Sequence, residues 1–392
     1  MRRKLSLVLF TIIAVNATFA QNITRIDGSR ISADSLTRLI NKLMQKANVC
    51  GLGISIFNHN KPVFTQTFGY ADVPGKKVFR ADQVLYGASL SKAVFGYIVA
   101  ELVQEKVIDL DKPLVKYLSK PLPDYKFERK TRGYQDIAGD KRYEKITARM
   151  CLDHTTGFPN WRWFEGDKKL KIRFEPGTRY SYSGEGLYLL QFVIEQVTGQ
   201  DYETIAQQRV FKPLNMVNSS YVWQSRFDGN LVLGHDAGGK PYELSKPKTP
   251  NCAGSLSTTL DDYTRFFTAL MQHQGLSKKI FNQMISPQVR IRSVKQFGPW
   301  ALKDSTLNDN IQLSYGLAFG VLKTPFGRAF FKEGHDDGWG HYTIAFPDKQ
   351  TGIVILTNND NGESIFKELL AAAIGDTYSP WFWENYIPYD MK

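Results

Sequence analysis

Ser89 and Lys92 lie three residues apart in Tyr86-Gly-Ala-Ser-Leu-Ser-Lys-Ala-Val-Phe-Gly-Tyr97. On a helix, that spacing puts both on one face. A serine hydroxyl is a weak nucleophile until a neighbour takes its proton. A lysine amine can do so when burial lowers its pKa, because the ammonium loses hydration. Val84, Leu85, Leu90, Ala93 and Val94 supply apolar flanks. A place near a helix N-terminus adds free backbone N–H groups that stabilise negative charge. The spacing alone is weak, because Ser245–Lys248 and Ser364–Lys367 repeat it. The first holds Pro247, and the second opens a predicted final helix where Ile365 and Phe366 read as packing. Without partners, Ser89 reads first as a structural or capping residue.

Two further stretches offer partners. Tyr182 lies in Pro176-Gly-Thr-Arg-Tyr-Ser-Tyr-Ser-Gly-Glu-Gly186. A phenol near an ammonium loses its proton more readily and can shuttle it. Alone, a tyrosine beside turn residues reads as packing. The other stretch is Phe331-Lys-Glu-Gly-His-Asp-Asp-Gly-Trp339, a predicted strand running into a Gly-rich turn. Gly334 there permits close backbone approach to a ligand. Lys332 brings positive potential, or is a plain exposed strand residue. The same cluster, from His335 to His341, raises a metal reading. It lacks the third or fourth ligand such a site needs, so no metal or organic cofactor is expected. His154 reads as a hydrogen-bonding structural residue. Trp161, Trp163 and Phe164 either line a substrate groove or pack.

The elements that must position these residues follow from periodicity. Residues 33–48 have helical spacing after a Ser/Asp start. Leu52–Phe57 and Val63–Phe68 alternate at strand period across His59-Asn60-Lys61, a predicted hairpin turn. The helix from Ser89 to about Gln104 is apolar nearly all round, which predicts burial. Residues 120–147 are polar and aperiodic and read as a long surface excursion. Further helices are predicted over 187–197, 260–271 and 364–374, with strands over 312–320, 328–331, 342–346 and 352–356. Sequential hairpins argue for an antiparallel sheet. The expected fold is α/β (α+β): an antiparallel sheet flanked by helices, with a mostly helical domain inserted. Residues 21–85 and 290–392 would build the sheet domain, and 86–289 the helical one carrying the nucleophile.

At 392 residues, with 42% hydrophobic and 22% charged residues, the chain can bury a large core. Arg2, Arg3 and Lys4 precede the apolar run Leu5–Val15, and Thr18-Phe-Ala20 offers small residues at a cleavage site. That pattern predicts a signal peptide over 1–20, removed before Gln21. The run is too short to span a bilayer stably. No Cys follows it, so no lipid anchor is expected there. The mature protein is expected to be periplasmic or secreted, with no integral membrane segment. Loss of three basic and no acidic residues lowers the formal charge from +12 to +9. This excess reads as solubility, or as attraction to anionic surfaces. No nucleic-acid motif is present. Cys50, Cys151 and Cys252 are widely spaced and odd in number, so they read as buried free thiols, with one bridge left open.

The order Ser89-x-x-Lys92, Tyr182-Ser183-Gly184 and Lys332-Glu333-Gly334 resembles that of the penicillin-recognising serine hydrolases. These include class C β-lactamases, penicillin-binding proteins, D-alanyl-D-alanine carboxypeptidases and related esterases. Leu152-Asp-His-Thr-Thr-Gly-Phe-Pro159, Ala253-Gly-Ser-Leu-Ser-Thr258 and the strand Ile353–Asn358 look like the family too. The resemblance covers roughly residues 35–375 and implies a β-lactamase/transpeptidase-like fold. It implies Ser89 as acylated nucleophile, Lys92 as its proton partner, Tyr182 as general base and Lys332 as the third-motif lysine. Backbone N–H groups of Ser89 and His335 would form the oxyanion hole, with Gly334 beside them. The implied partner is a small-molecule or peptidoglycan-derived substrate bearing a β-lactam or D-alanyl carbonyl. A carboxylic ester is the alternative, and a non-catalytic penicillin-binding sensor a second. Two departures bear on that choice. Gly184 replaces an Asn that often touches substrate, and Glu333 replaces a Thr that often binds a substrate carboxylate. Lys323-Thr324-Pro325 imitates the third motif, but Pro325 stands where its glycine would be.

Overall fold

The computed structural model describes residues 22–127 and 132–391. The expected signal peptide lies outside the described residues. The chain opens with a hairpin of β1 (Asn22–Thr24) and β2 (Arg30–Ser32). Helix α1 (Ala33–Ala47) follows, capped by Ser32, whose side chain accepts the Ser35 N–H. It ends at Asn48 in the left-handed conformation. β3 (Gly51–Asn58) and β4 (Lys61–Asp72) form the next hairpin, and β5 (Lys77–Val78) adds to its edge. Its two-residue turn, His59-Asn60, has positive φ at both positions (51° and 56°). This is what a tight hairpin turn with the native strand twist requires.

β6 (Leu85–Tyr86) leads through a 3₁₀ turn at Ala88–Leu90 into α2 (Ser91–Gln104), which is buried almost throughout. The middle of the chain supplies α3 (Ala148–Leu152), α4 (Gly184–Thr198) and α5 (Tyr202–Ala206). Next come β7 (Ser257–Thr258), paired with β6, then α6 (Leu260–Met271) and α7 (Lys278–Met284). The last third carries β8 (Val289–Arg290), β9 (Ser314–Tyr315), β10 (Gly320–Thr324) and β11 (Gly327–Asp336). It closes with β12 (Trp339–Phe346), β13 (Thr351–Thr357) and α8 (Phe366–Ala373).

One antiparallel sheet runs in the order β5-β4-β3-β13-β12-β11-β10-β9-β8. Pairing of β13 with β3 joins the two ends of the chain at the centre of the sheet. Successive strand residues face opposite sides. Ile353 and Ile355 therefore pack with Leu36, Ile40, Leu369 and Leu370 of α1 and α8. Val354 and Leu356 pack on the other face with Leu260, Phe267 and Val94 of α6 and α2. Covered on both faces, β3, β12 and β13 are buried along their whole length. β13 accordingly reads as a near-continuous apolar run, Ile353 to Leu356, whereas β3 keeps the alternation of Leu52, Ile54 and Ile56.

Two expectations change. The stretch 120–147 is not a surface excursion: Leu122, Tyr134, Ile137, Tyr143 and Ile146 are buried in the helical core. They hang from short 3₁₀ turns, whose uneven spacing gives no period to detect. Residues 128–131 of that stretch lie outside the described residues. The strand expected over 312–320 is instead two strands, β9 and β10, parted at Ala318 with φ of 71°. The three cysteines are unpaired; Cys151 and Cys252 are buried and Cys50 half-buried. Among the described residues no helix is long and apolar enough to cross a membrane.

Candidate active site

The turn that carries Ser89 is fixed before α2 begins. Gly87 N–H donates to the Leu256 carbonyl (2.7 Å), alongside the β6–β7 pair. Ser91 Oγ donates to the Ala88 carbonyl (2.5 Å) and accepts the Leu256 N–H (3.1 Å). These contacts hold Ala88 at a φ of 44°, a conformation a non-glycine residue adopts only when its surroundings impose it. Ser89 is half-buried at the base of a cleft, and Lys92 is buried behind it. Lys92 Nζ lies 2.9 Å from Ser89 Oγ and donates to the Ala253 carbonyl at 2.6 Å. Burial pushes the Lys92 amine below the usual lysine range. Negative charge at Tyr182 would oppose that shift, and the Lys332 ammonium adds to it.

Tyr182 directly precedes the cap of α4. Ser183 Oγ accepts the Gly186 N–H (2.9 Å) and donates to the Pro159 carbonyl (2.9 Å). Ser183 N–H donates to His154 Nδ1 (3.2 Å). The His154 ring lies 4.4 Å from the Tyr182 ring, centroid to centroid. Burial, with Lys92 and Lys332 nearby, drives His154 well below the usual histidine range, so it stays neutral. It positions the tyrosine segment as a hydrogen-bond acceptor, in keeping with its reading as a structural residue.

Lys332, on β11, places Nζ 3.2 Å from the Tyr182 hydroxyl and 2.9 Å from Glu333 Oε1. Gln296 Nε2 donates to the same Glu333 oxygen at 2.6 Å. Burial would lower the Lys332 pKa, but the Glu333 and Tyr182 interactions outweigh it and hold it above the usual range. Two buried lysines thus differ in character. The one at Ser89 is pushed toward the free amine, and the one at Tyr182 is held as ammonium.

β10 pairs with β11 only over Gly327–Phe331, so beyond Phe331 that edge of β11 has no strand partner among the described residues. The Ser89 turn packs there. A Cβ on Gly334 would meet the Gly87 carbonyl oxygen at 3.2 Å and the His341 ring and Leu90 at 3.3 Å, so glycine permits the approach. His335 is exposed; its Nδ1 lies 3.1 Å from Glu363 Oε1, which raises its pKa to about 9. His341 is buried, with Nε2 2.8 Å from the Tyr86 carbonyl. The metal reading of this cluster gains nothing: among the described residues no group of three or more His, Cys, Asp or Glu is arranged to hold an ion. Lys323-Thr324-Pro325 closes the β10–β11 hairpin, where Thr324 Oγ1 donates to the Gly327 carbonyl at 2.8 Å.

The cleft over Ser89 encloses about 720 Å³ and brings together Ser89, Lys92, Tyr182, Trp161, Glu333 and His335. Lys332 stands behind Tyr182 and Glu333. A nucleophile, a depressed amine and a phenol held by a second cation are the parts of an acyl-transfer site. Residues 36–375 match the family model described as Beta-lactamase.

The chain belongs to the beta-lactamase family. Protein flp of Staphylococcus aureus (strain N315) is 24% identical over 352 residues, covering 84% of this chain and 64% of the relative. This chain therefore spans just under two thirds of that relative. The Beta-lactamase of Escherichia coli (strain K12) is 22% identical over 362 residues, 83% of this chain and 89% of the relative. Among solved structures, the octameric penicillin-binding protein homologue from Pyrococcus abyssi superimposes with a TM-score of 0.69 at 19% identity. It covers 89% of this chain and 79% of its own. The D-alanine carboxypeptidase AmpC from Burkholderia cenocepacia gives 0.65 at 19%, covering 83% and 93%. These likenesses establish the beta-lactamase-type fold, an antiparallel sheet flanked by helices, as the motif order implied.

Two parts of the site had no legible signal, and a third was flagged only by resemblance. Gln296, and Phe297 edge-on to Tyr182 at 5.2 Å, come from an irregular segment without period. Arg162 and Glu185 form a buried two-bond pair (2.9 and 2.8 Å) that ties the loop carrying Trp161 to α4. The Ala253 carbonyl that holds Lys92 lies in a stretch the sequence flagged only by resemblance.

Proposed function

We propose that this protein is an exported serine hydrolase that works through an acyl-enzyme on Ser89. The observation that carries the reading is the buried, pKa-depressed Lys92 amine 2.9 Å from Ser89 Oγ. Ser89 Oγ bonds to a carbonyl carbon while its proton passes to the Lys92–Tyr182 pair. The leaving group departs with a proton from Tyr182. Water then attacks the acyl carbon, gives its proton to the same pair, and frees Ser89. The N–H groups of Ser89 and His335 would hold the oxyanion.

Family membership directs the substrate toward a β-lactam or D-alanyl carbonyl. The ester reading is favoured by one observation: Glu333 already occupies the Lys332 ammonium. A substrate carboxylate approaching that side of the cleft meets a carboxylate. A neutral carboxylic ester meets no such penalty. Intact-mass and turnover assays with a penicillin, a chromogenic cephalosporin and a p-nitrophenyl ester test this. Ester turnover should exceed cephalosporin turnover and vanish in Ser89→Ala. Neither adduct nor turnover with any of the three would leave the binding-sensor reading in place.

The pH profile follows from the lysines. The base must be unprotonated, so kcat/KM should rise with pH. The midpoint should lie below the usual lysine value of about 10.4, because burial lowers Lys92. Lys332, shifted the other way, stays charged across that rise. A profile flat from about pH 5 to pH 10 would remove Lys92 as proton acceptor.

A further inference from the structure

We propose that Trp161 is a specificity-determining residue, and that its stack with Trp163 selects substrates with a flat apolar acyl group such as an aryl or arylacetyl ester. The inference rests on Ser89 being the acylated residue, and it deepens that reading by naming the substrate class.

Three observations support it. Trp161 and Trp163 stack with centroids 4.8 Å apart and planes 8° from parallel, and both line the cleft with Ser89. Trp163 is 42% exposed and Phe164 71% exposed, so apolar ring surface faces the cleft uncovered. Next, the platform is preformed. Arg162, between the two tryptophans, is turned inward and locked on Glu185, and its Nη1 donates to the Gly133 carbonyl at 2.6 Å. Such rigidity reduces the entropy cost of binding. Finally, Trp161 occupies the space where residue 184 would project a side chain. A Cβ on Gly184 would overlap the Trp161 ring at three atoms. Gly184 therefore leaves the room that the Trp161 ring takes up.

Across the cleft, Phe297 is 40% exposed against Tyr182. An acyl group extending from Ser89 between Trp161 and Phe297 meets apolar ring surface on both sides. Lys92 Nζ lies 5.8 Å from the Trp161 ring centroid, and Arg173 and Glu165 line the same cleft. An aromatic side chain buries about 150–250 Å² when covered, enough to discriminate strongly between a phenylacetyl and an acetyl group.

The test is the ratio of kcat/KM for p-nitrophenyl phenylacetate over p-nitrophenyl acetate. Trp161→Ala should lower the ratio about 10–200-fold, whatever its effect on acetate turnover itself. Gly184→Ala should lower it too, since the new methyl displaces the ring. The double variant should match Trp161→Ala alone. A ratio unchanged in Trp161→Ala, or losses that add in the double variant, overturns the proposal. Phenylacetamide binding to Ser89→Ala, read by calorimetry, needs no turnover. It should weaken at least about tenfold when Trp161→Ala is added, within the range for a lost apolar contact. No binding, or binding indifferent to Trp161, overturns the proposal. Binding that depends on Trp161 in a protein without esterase activity would instead refute only the role of Ser89.

Discussion

Ser89→Ala, Lys92→Ala and the double variant should lose about the same factor in turnover, on the order of 10⁴ or more. In the proposed mechanism the two side chains act as one unit. Without Lys92, Ser89 keeps its place on the rigid turn, held by Ser91 and Leu256, but loses the amine 2.9 Å from its hydroxyl. Without Ser89, the amine has nothing to activate. Residues that work as a unit are strongly non-additive, which makes the cycle more telling than either variant alone. Single-turnover kinetics on an activated ester, with intact mass to follow the adduct, measures it. Lys92→Ala within tenfold of the wild type would show that the proton goes elsewhere. Losses that multiply in the double variant would separate the two residues.

Arg162→Ala should be the most damaging change away from the chemistry. Arg162 is 2% exposed and Glu185 is fully buried. Two guanidinium bonds and the Arg162 N–H (3.0 Å) all converge on that carboxylate. Removing the arginine strands a buried charge, which costs about 3–5 kcal/mol. It also frees the loop bearing Trp161 and Trp163, so affinity for apolar acyl groups should fall with stability. Replacing both partners, as Arg162→Met with Glu185→Leu, should restore most of the stability, because two apolar side chains strand no charge. Urea midpoints at constant slope provide the measurement. A loss below about 1 kcal/mol in Arg162→Ala would place the pair among surface-like bridges instead.

Legibility followed sequence distance. The His59-Asn60 hairpin, the capped start of α1 and the buried α2 were readable, because each rests on a period or turn a few residues long. The stretch 120–147 was misread because its buried Leu122, Ile137 and Ile146 hang from irregular turns. Lys332 and Tyr182 were legible as candidates only through their order in the chain, and the register of β11 makes them neighbours. Glu333 was legible as a departure. That it takes the Lys332 ammonium together with Gln296 was not, since Gln296 lies in a segment with no periodic signal.

By itself the sequence determined that Ser89 and Lys92 sit one turn apart at the start of a buried helix, that both chain ends supply strands, and that motifs of one family follow in order; the structure puts Ser89 on the 3₁₀ turn that leads into α2. Those facts are local or ordinal: a spacing of three, an alternation of two, a succession along the chain. The tertiary structure decided the rest. It brought Lys332 to Tyr182 across 150 residues, set Trp161 in the space beside Gly184, and locked Arg162 on Glu185. Such contacts depend on strand register and loop path, which are fixed when both faces of the sheet are buried at once. Burial also set the opposite pKa shifts of the two lysines: the same desolvation acts on both, and the carboxylate of Glu333 lies against only one.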